Sequence, residues 1–347
     1  MVSMGVFVPT SILFPDADSS FATFRSLLQG LSRTDVLFWC ARLNHVLAGT
    51  TGLTHEQRQA FGLRQFSTTG QLRRLDEYCK QHNRSTSDVT IFFRGQVLEL
   101  FRWAALYGDD HADDGTTFES PATRQDFLHA CLLASEYWGE RVYGNALDLA
   151  DGLAAARQRA LGPLRLAMEG SATIGEWAHH LGRGYRLFGE YLPRVDPGFA
   201  PAFHRVTGLT VEEYLTCWAA VLTTYAKRNT EVTIFNAATA AEPTASPEVF
   251  RQFIKIEAQT PDEVRARLWP GIERDDPRLS PTFPYNVKGL RERPILRSPD
   301  GRTLLIDPVL ALDRSSIGPC FTRCAVDWSR ARVGTDPVSD VVLKIRG

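Results

Sequence analysis

The sequence predicts a mainly α-helical protein: an irregular multi-helix bundle followed by a small C-terminal α+β segment that contains a β-hairpin. Three observations predict this fold class. Apolar residues recur at helical spacing through the first two thirds of the chain. Residues that commonly start helices precede most of these stretches. After residue 246 the pattern changes, and two short apolar runs flank a Ser-Pro-Asp-Gly turn.

Four amphipathic helices are predicted in the N-terminal part of the chain. The first follows a serine pair that ends at Ser20, and the second follows Thr34 and ends at Gly49. The third begins with a capping box at residues 54–57, in which threonine and glutamine satisfy backbone N–H groups. The fourth covers residues 72–79, where leucine, tyrosine and cysteine share one face.

The middle of the chain continues the helical pattern. Residues 88–107 are predicted as a helix, although residues 90–93 alone also suit a strand. Further helices are predicted at residues 121–143, 146–161, 174–192 and 211–227. In the third of these, the predicted apolar face contains Trp177, Leu181, Tyr185 and Phe188.

A change of composition predicts two domains. Around residues 236–246, alanine, threonine, glutamate and proline crowd together without periodicity. We therefore expect a helical bundle domain at residues 1–240 and a small α+β domain at residues 246–347. The elements expected in the second domain are helices that start at Ser246 and Thr260, no helix at residues 270–294, a hairpin at residues 294–307 and a strand at residues 341–345.

Composition narrows the functional classes. Lysine and arginine total 39 and aspartate and glutamate 40, so no overall field attracts nucleic acid or a membrane. Apolar runs are much shorter than the ~20 residues of a membrane span, and the N-terminus lacks a secretory signal pattern. We expect a cytoplasmic protein with no membrane partner. The free thiols predicted on buried helix faces are Cys40, Cys79, Cys131 and Cys217.

The acidic stretch after the predicted helix that ends near Tyr107 is the strongest candidate for metal chemistry. Asp109, Asp110 and Asp113 have the spacing Asp-Asp-x-x-Asp, whereas an EF-hand is excluded because Pro121 occupies its twelfth position. The stretch resembles the metal motif of class I terpenoid synthases. That resemblance implies a helical enzyme in which the three aspartates bind Mg²⁺ for a prenyl diphosphate. The second metal motif of that family is missing, and a solvated acidic loop is the other interpretation.

Two acid–histidine pairs suggest a second kind of metal site. Asp126 with His129, and Glu176 with His179, have the i, i+3 spacing found in carboxylate-bridged di-iron bundles. Such a site needs further glutamates, and the candidates are Glu99, Glu136 and Glu213. Polar pairs on a solvent-facing helix have the same spacing, so both interpretations stay open.

The C-terminal part carries a local positive excess. From residue 288 onward there are eleven basic and seven acidic residues. Arginines on or beside a hairpin can contact the phosphates of a nucleic acid or an acidic protein partner. The candidates for this contact are Arg291, Arg293, Arg297 and Arg302.

Residues 293–319 add a family resemblance. Their Arg-Pro-Ile-Leu, Pro-Asp-Gly-Arg, Leu-Ile-Asp-Pro and Gly-Pro strings resemble the hairpin segment of uncharacterised bacterial proteins with a helical N-terminal region and a C-terminal PD-(D/E)xK-type nuclease domain. The resemblance implies a non-catalytic scaffold or adaptor region of a nuclease-type, defence-related protein. Its partner would be nucleic acid, another protein or a nuclease domain beyond residue 347, because the nuclease core motif is not found here. No catalytic residue or cofactor is assigned on this interpretation, and Mg²⁺ belongs only to the terpenoid-synthase alternative.

Overall fold

The computed structural model is predominantly helical and has a small sheet in its C-terminal part, which confirms the predicted fold class. It describes residues 6–48, 53–86, 89–110, 121–148, 174–227, 246–276, 278, 288–298, 301 and 303–316. The helices are α1 (Thr10–Leu13), α2 (Phe21–Gly30), α3 (Arg33–Leu47), α4 (His55–Phe66), α5 (Thr69–Gln81), α6 (Arg94–Tyr107), α7 (Pro121–Asp148), α8 (Ile174–Gly184), α9 (Leu192–Val195), α10 (Phe199–Thr207), α11 (Val211–Lys227), α12 (Pro247–Glu257), α13 (Pro261–Leu268), α14 (Lys288–Glu292) and α15 (Pro308–Ser316). A π-helix, Tyr185–Tyr191, joins α8 to α9.

The strands form two small sheets within the described residues. Their bounds are β1 (Val6–Phe7), β2 (Val89–Thr90), β3 (Ala258–Gln259), β4 (Ile295–Arg297) and β5 (Thr303–Leu305). The first two strands pair in parallel, and β4 lies between β3, which is parallel to it, and β5, which is antiparallel. Ile295 faces Leu305, and the Gly301 N–H donates to the Ser298 carbonyl at 3.0 Å. The predicted hairpin is confirmed.

Hydroxyl caps start the helices where the sequence predicts them. Ser20, Thr54, Ser246 and Thr260 each accept a hydrogen bond from a backbone N–H in the first helical turn. The prediction for α3 was wrong by two residues, because Ser32 is the cap and Thr34 already lies inside the helix.

The predicted helix at residues 88–107 is correct only for its second part. Val89 and Thr90 form a strand against β1, and α6 begins at Arg94. The intervening N–H groups of Ile91 and Phe92 donate to Oε1 of Gln59, both at 2.9 Å. A side chain from α4 therefore accepts the hydrogen bonds of backbone N–H groups that would bind backbone carbonyls if this stretch were helical.

Three other predictions have mixed outcomes. The predicted helix at residues 174–192 exists, but its second part is the π-helix. A short helix, α14, lies inside the segment 270–294 for which none was predicted. The rest of the predicted helix at 146–161 after Asp148, the composition change at 236–246 and the strand at 341–345 lie outside the described residues.

Two hydrophobic cores hold the described elements together. The first is built mainly from α2, α3, α6 and α7, and the second mainly from α8, the π-helix, α10, α11 and α12. The hairpin contributes to both, since Leu296 and Ile306 lie in the first core and Ile295 and Leu305 in the second. The hairpin is thus packed between the two cores.

Helix α6 is the centre of the first core. Every residue from Gly95 to Tyr107 is buried, and α3, α7 and α13 pack against the helix. Trp269, just after α13, donates its indole N–H to the Arg102 carbonyl at 2.9 Å, and the Arg102 guanidinium lies over the Trp269 ring. Among the described residues, no helix is both long and apolar enough to cross a membrane.

Candidate functional site

The two described aspartates of the acidic stretch bind arginines. Asp110 accepts hydrogen bonds from Arg33 Nε at 3.1 Å and from the Thr34 N–H and hydroxyl at 2.9 and 2.8 Å. Asp109 forms an ion pair with Arg274, whose Nη1 donates at 3.0 Å. The Arg33 N–H also donates to the Asp109 carbonyl at 3.0 Å. These contacts fix the end of α6 against the start of α3.

The ion pairs set the charge state of this cluster. Burial opposes ionisation of Asp110, but the hydrogen bonds from Arg33 and Thr34 outweigh burial and lower the pKa of its carboxyl. The hydrogen bonds to Asp109 raise the pKa of the Arg274 guanidinium. A divalent cation at these aspartates would have to displace both guanidinium groups. Asp113, the third aspartate of the motif, lies outside the described residues.

The structure does not assemble the nominated di-iron ligands among the residues it describes. Glu99 accepts hydrogen bonds from Arg102 and Trp103 inside the first core, and Glu213 is occupied in capping α11 with Thr210. His179 is exposed on α8. No group of three or more histidine, cysteine, aspartate or glutamate side chains in the described part of the chain is placed to hold a metal ion.

His129 on α7 occupies an apolar setting. The imidazole is buried and stacks on the Phe14 ring, with the ring centroids 4.5 Å apart. Burial lowers the pKa of His129, although the charges of Asp126 and Glu136 act in the opposite direction. Asp126, the residue paired with His129 by sequence spacing, acts on the imidazole through its negative charge. Glu136 accepts a hydrogen bond from the Thr10 N–H at 2.8 Å.

The four predicted cysteines are buried and are not in disulfides, as expected. Burial raises the pKa of Cys40 and Cys131 well above the usual range and that of Cys217 to about 12. Since the thiolate is the reactive form, the raised pKa values disfavour nucleophilic chemistry at Cys40, Cys131 and Cys217.

The described arginines on and beside the hairpin do not form one exposed face. Arg293 is largely buried, with Nη1 3.4 Å from the Ala258 carbonyl and 3.6 Å from a Glu263 carboxylate oxygen. Arg297 is half-buried and Arg291 is exposed on α14. Arg302 lies outside the described residues. The different exposures of these arginine side chains follow from the packing of the hairpin between the two cores.

Three arginine pairs with fully buried carboxylates escaped the sequence analysis. Arg314 donates to both oxygens of Glu257, and the Tyr214 hydroxyl donates to the same carboxylate at 3.1 Å. The other two pairs are Arg94 with Asp307 and Arg102 with Glu99. A glutamate at the end of the apolar helix α12 is the one sequence signal that hinted at such a partner.

An exposed surface that runs from the end of α8 through the π-helix into α9 also escaped the sequence analysis. Tyr185 was predicted on the apolar face, but this prediction was wrong: its side chain is 45% exposed, while Phe188 is buried. Tyr191 and Val195 are 59% and 61% exposed. The exposed arginines of the same segment are Arg183, Arg186 and Arg194. We call these six residues the Tyr–Arg surface.

The chain was also compared with known proteins as a whole. Comparison with protein-family models, with curated proteins and with solved structures finds no match.

Proposed function

We propose that this chain is a non-catalytic helical scaffold or adaptor region of a bacterial nuclease-type protein that acts in the cytoplasm. Its helical body would position a partner, either nucleic acid or another protein. The observation that carries the proposal is the way charge is distributed over the described residues. The aspartates suited to metal chemistry bind Arg33 and Arg274, whereas three arginines of the Tyr–Arg surface are exposed.

The packing of the hairpin supports a positioning role. Asp307 is buried, binds Arg94 and also accepts hydrogen bonds from the first N–H groups of α15. Asn44 on α3 donates to the Ile306 carbonyl at 3.3 Å. Because α3 and α6, two helices of the first core, both bind the hairpin, its described residues have a fixed place in the fold.

A binding and cleavage assay tests this function. Fluorescein-labelled single-stranded and duplex DNA and RNA are titrated with the purified chain at low salt and then incubated with Mg²⁺. We expect binding without cleavage. Cleavage by the chain alone would contradict the non-catalytic role. Absence of binding to every probe would contradict the nucleic-acid form and leave the protein-partner form, which co-purification from the source cells tests.

The alternative is a class I terpenoid-synthase-like enzyme. One observation favours it: Asp109 and Asp110 directly follow the end of α6, as such a motif requires. On this proposal Mg²⁺ and a prenyl diphosphate would displace Arg33 and Arg274 from the carboxylates. The direct assay is product formation from prenyl diphosphates with Mg²⁺. A Mg²⁺-dependent rise in melting temperature, absent in the D109N/D110N variant, would also support the alternative over the scaffold.

A further inference from the structure

The π-helix determines which side chains of residues 174–195 face the second core. Phe188 and Leu192 are four residues apart and both are buried, as is Trp177 on α8. At Gly184 the chain lies so close to α15 that a Cβ atom would be 2.4 Å from the Ser315 carbonyl oxygen. This contact fixes one side of the segment against the core, and π-turns within helices occur frequently at functional sites.

The opposite side of the segment exposes aromatic and cationic groups together. Arg186, Glu190 and Arg194 are all exposed and lie four positions apart along the chain; we call these three residues the arginine row. Tyr185 and Tyr191, the first and last residues of the π-helix, are exposed as well. No ion pair joins these arginines to a carboxylate within the described residues. Within residues 183–196 the three arginines outnumber two carboxylates, Glu190 and the half-buried Asp196, so the formal charge of this stretch is +1.

This chemistry matches single-stranded nucleic acid. Unpaired bases stack on exposed tyrosine rings, and arginines bind the phosphates that connect those bases. Tyr185 and Tyr191 begin and end the seven-residue π-helix, so their exposed rings offer two separate stacking surfaces. A duplex hides its base faces and would use only the arginines.

We propose that the Tyr–Arg surface binds single-stranded DNA or RNA, with bases on Tyr185 and Tyr191 and phosphates on Arg183, Arg186 and Arg194. This inference rests on the nucleic-acid form of the proposed function and assigns its contact site. It places that site on the π-helix, away from the hairpin arginines of the sequence analysis. Glu190, inside the arginine row, weakens the contact by repelling phosphate.

The test is fluorescence anisotropy with labelled oligothymidylate, oligouridylate and a DNA duplex at several salt concentrations. The Y185A/Y191A variant should bind the single strands at least about 5-fold more weakly per lost stacking contact, whereas Y185F/Y191F should bind like the wild type. The R186A/R194A variant should reduce the slope of log K against log salt by about 1.4, at ~0.7 per phosphate contact. Removing the repulsion with E190Q should tighten binding.

A matched control lies on α5. The L72A/R73A variant removes an exposed leucine and an exposed arginine far along the sequence from the π-helix and should bind like the wild type. Because all substituted side chains are exposed, circular dichroism and melting temperature should be unchanged. If the Y185A/Y191A variant bound single strands as tightly as the wild type, or if the duplex bound as tightly as the single strands, this site would be overturned. The proposed function would stand in either case. No wild-type binding to any probe would overturn both this inference and the nucleic-acid form.

Discussion

Arg314 and Glu257 form a two-fold hydrogen-bonded ion pair inside the second core. The Nε–Oε2 and Nη2–Oε1 distances are both 2.9 Å, and the side chains are 2% and 0% exposed. The pair joins the end of α12, the helix before the three-stranded sheet, to α15, the helix after the hairpin. The Tyr214 hydroxyl on α11 completes the network.

Breaking this pair should strongly destabilise the protein. We expect Arg314→Met to lower the free energy of unfolding by about 3–5 kcal/mol, because it leaves Glu257 buried without its countercharge. The double variant E257L/R314M should recover much of that loss, since no unpaired charge remains. Urea unfolding followed by circular dichroism measures both. Tyr214→Phe, which removes one hydrogen bond, should cost about 1 kcal/mol; equal losses for all three variants would contradict this account.

The Asp110 contacts predict a pH-dependent contribution to stability. Asp110→Asn removes the charge that holds Arg33 and the first turn of α3, and should cost about 1 kcal/mol at neutral pH after allowance for solvent screening. The lowered pKa of Asp110 means that its contribution is complete above the unfolded-state pKa of about 3.9 and is lost as the pH falls through the folded-state pKa.

The measurement is the difference in unfolding free energy between wild type and Asp110→Asn across this acidic range. We expect the difference to shrink below about pH 4. Asp76→Asn is the control, because Asp76 pairs with Lys80 on the exposed face of α5 and the substitution should change stability by about 0.5 kcal/mol or less. A constant difference at every pH would contradict the prediction.

His129 predicts a loss of stability on acidification. Its pKa in the folded protein is lowered by burial, so between that value and about 6.5 the unfolded chain binds more protons than the folded one. Stability should therefore fall as the pH drops below about 6.5. His129→Phe, which keeps the stacking on Phe14, should reduce this dependence in thermal melts between pH 7 and 5. The exposed His204→Gln should leave it unchanged; an identical slope in His129→Phe would refute the assignment.

The hairpin turn depends on Gly301. Its φ of 85° is a conformation that residues with a Cβ atom rarely adopt, while a Cβ there would meet no other atom within 4 Å. We expect Gly301→Ala to cost about 1–2 kcal/mol through backbone conformation alone. Gly30→Ala at the end of α2, also in open space but without a positive φ, is the matched control and should be neutral or slightly stabilising. Chemical denaturation of the two variants distinguishes these outcomes.

Local signals made much of the fold predictable. The hairpin follows from a turn tetrapeptide between apolar runs, and the helix starts follow from hydroxyl residues whose partners lie three positions away. Both partners of such a contact lie within a few consecutive residues of the sequence. The start of α6 was not predictable in this way, because the backbone that precedes α6 is bound by Gln59, a residue on another helix.

The candidate sites were less predictable because their partners are distant. Asp109 looked available for a metal, but Arg274, 165 residues away, occupies it. Arg94 and Asp307 are 213 residues apart, and nothing around either residue indicates the other. Tyr185 was misplaced for a different reason: a period of 3.6 residues was assumed, whereas the π-helix has a longer turn and moves the ring to the outside.

The contact between Arg102 and Trp269 has a consequence for protein synthesis. These residues are 167 positions apart, so at about 5–20 residues per second a ribosome adds Trp269 about 8 to 33 s after Arg102. During that interval α6 lacks the cover that α13 and Trp269 provide in the finished protein. The nascent chain therefore presents an aromatic helix to chaperones and to neighbouring chains until most of the polypeptide has been made.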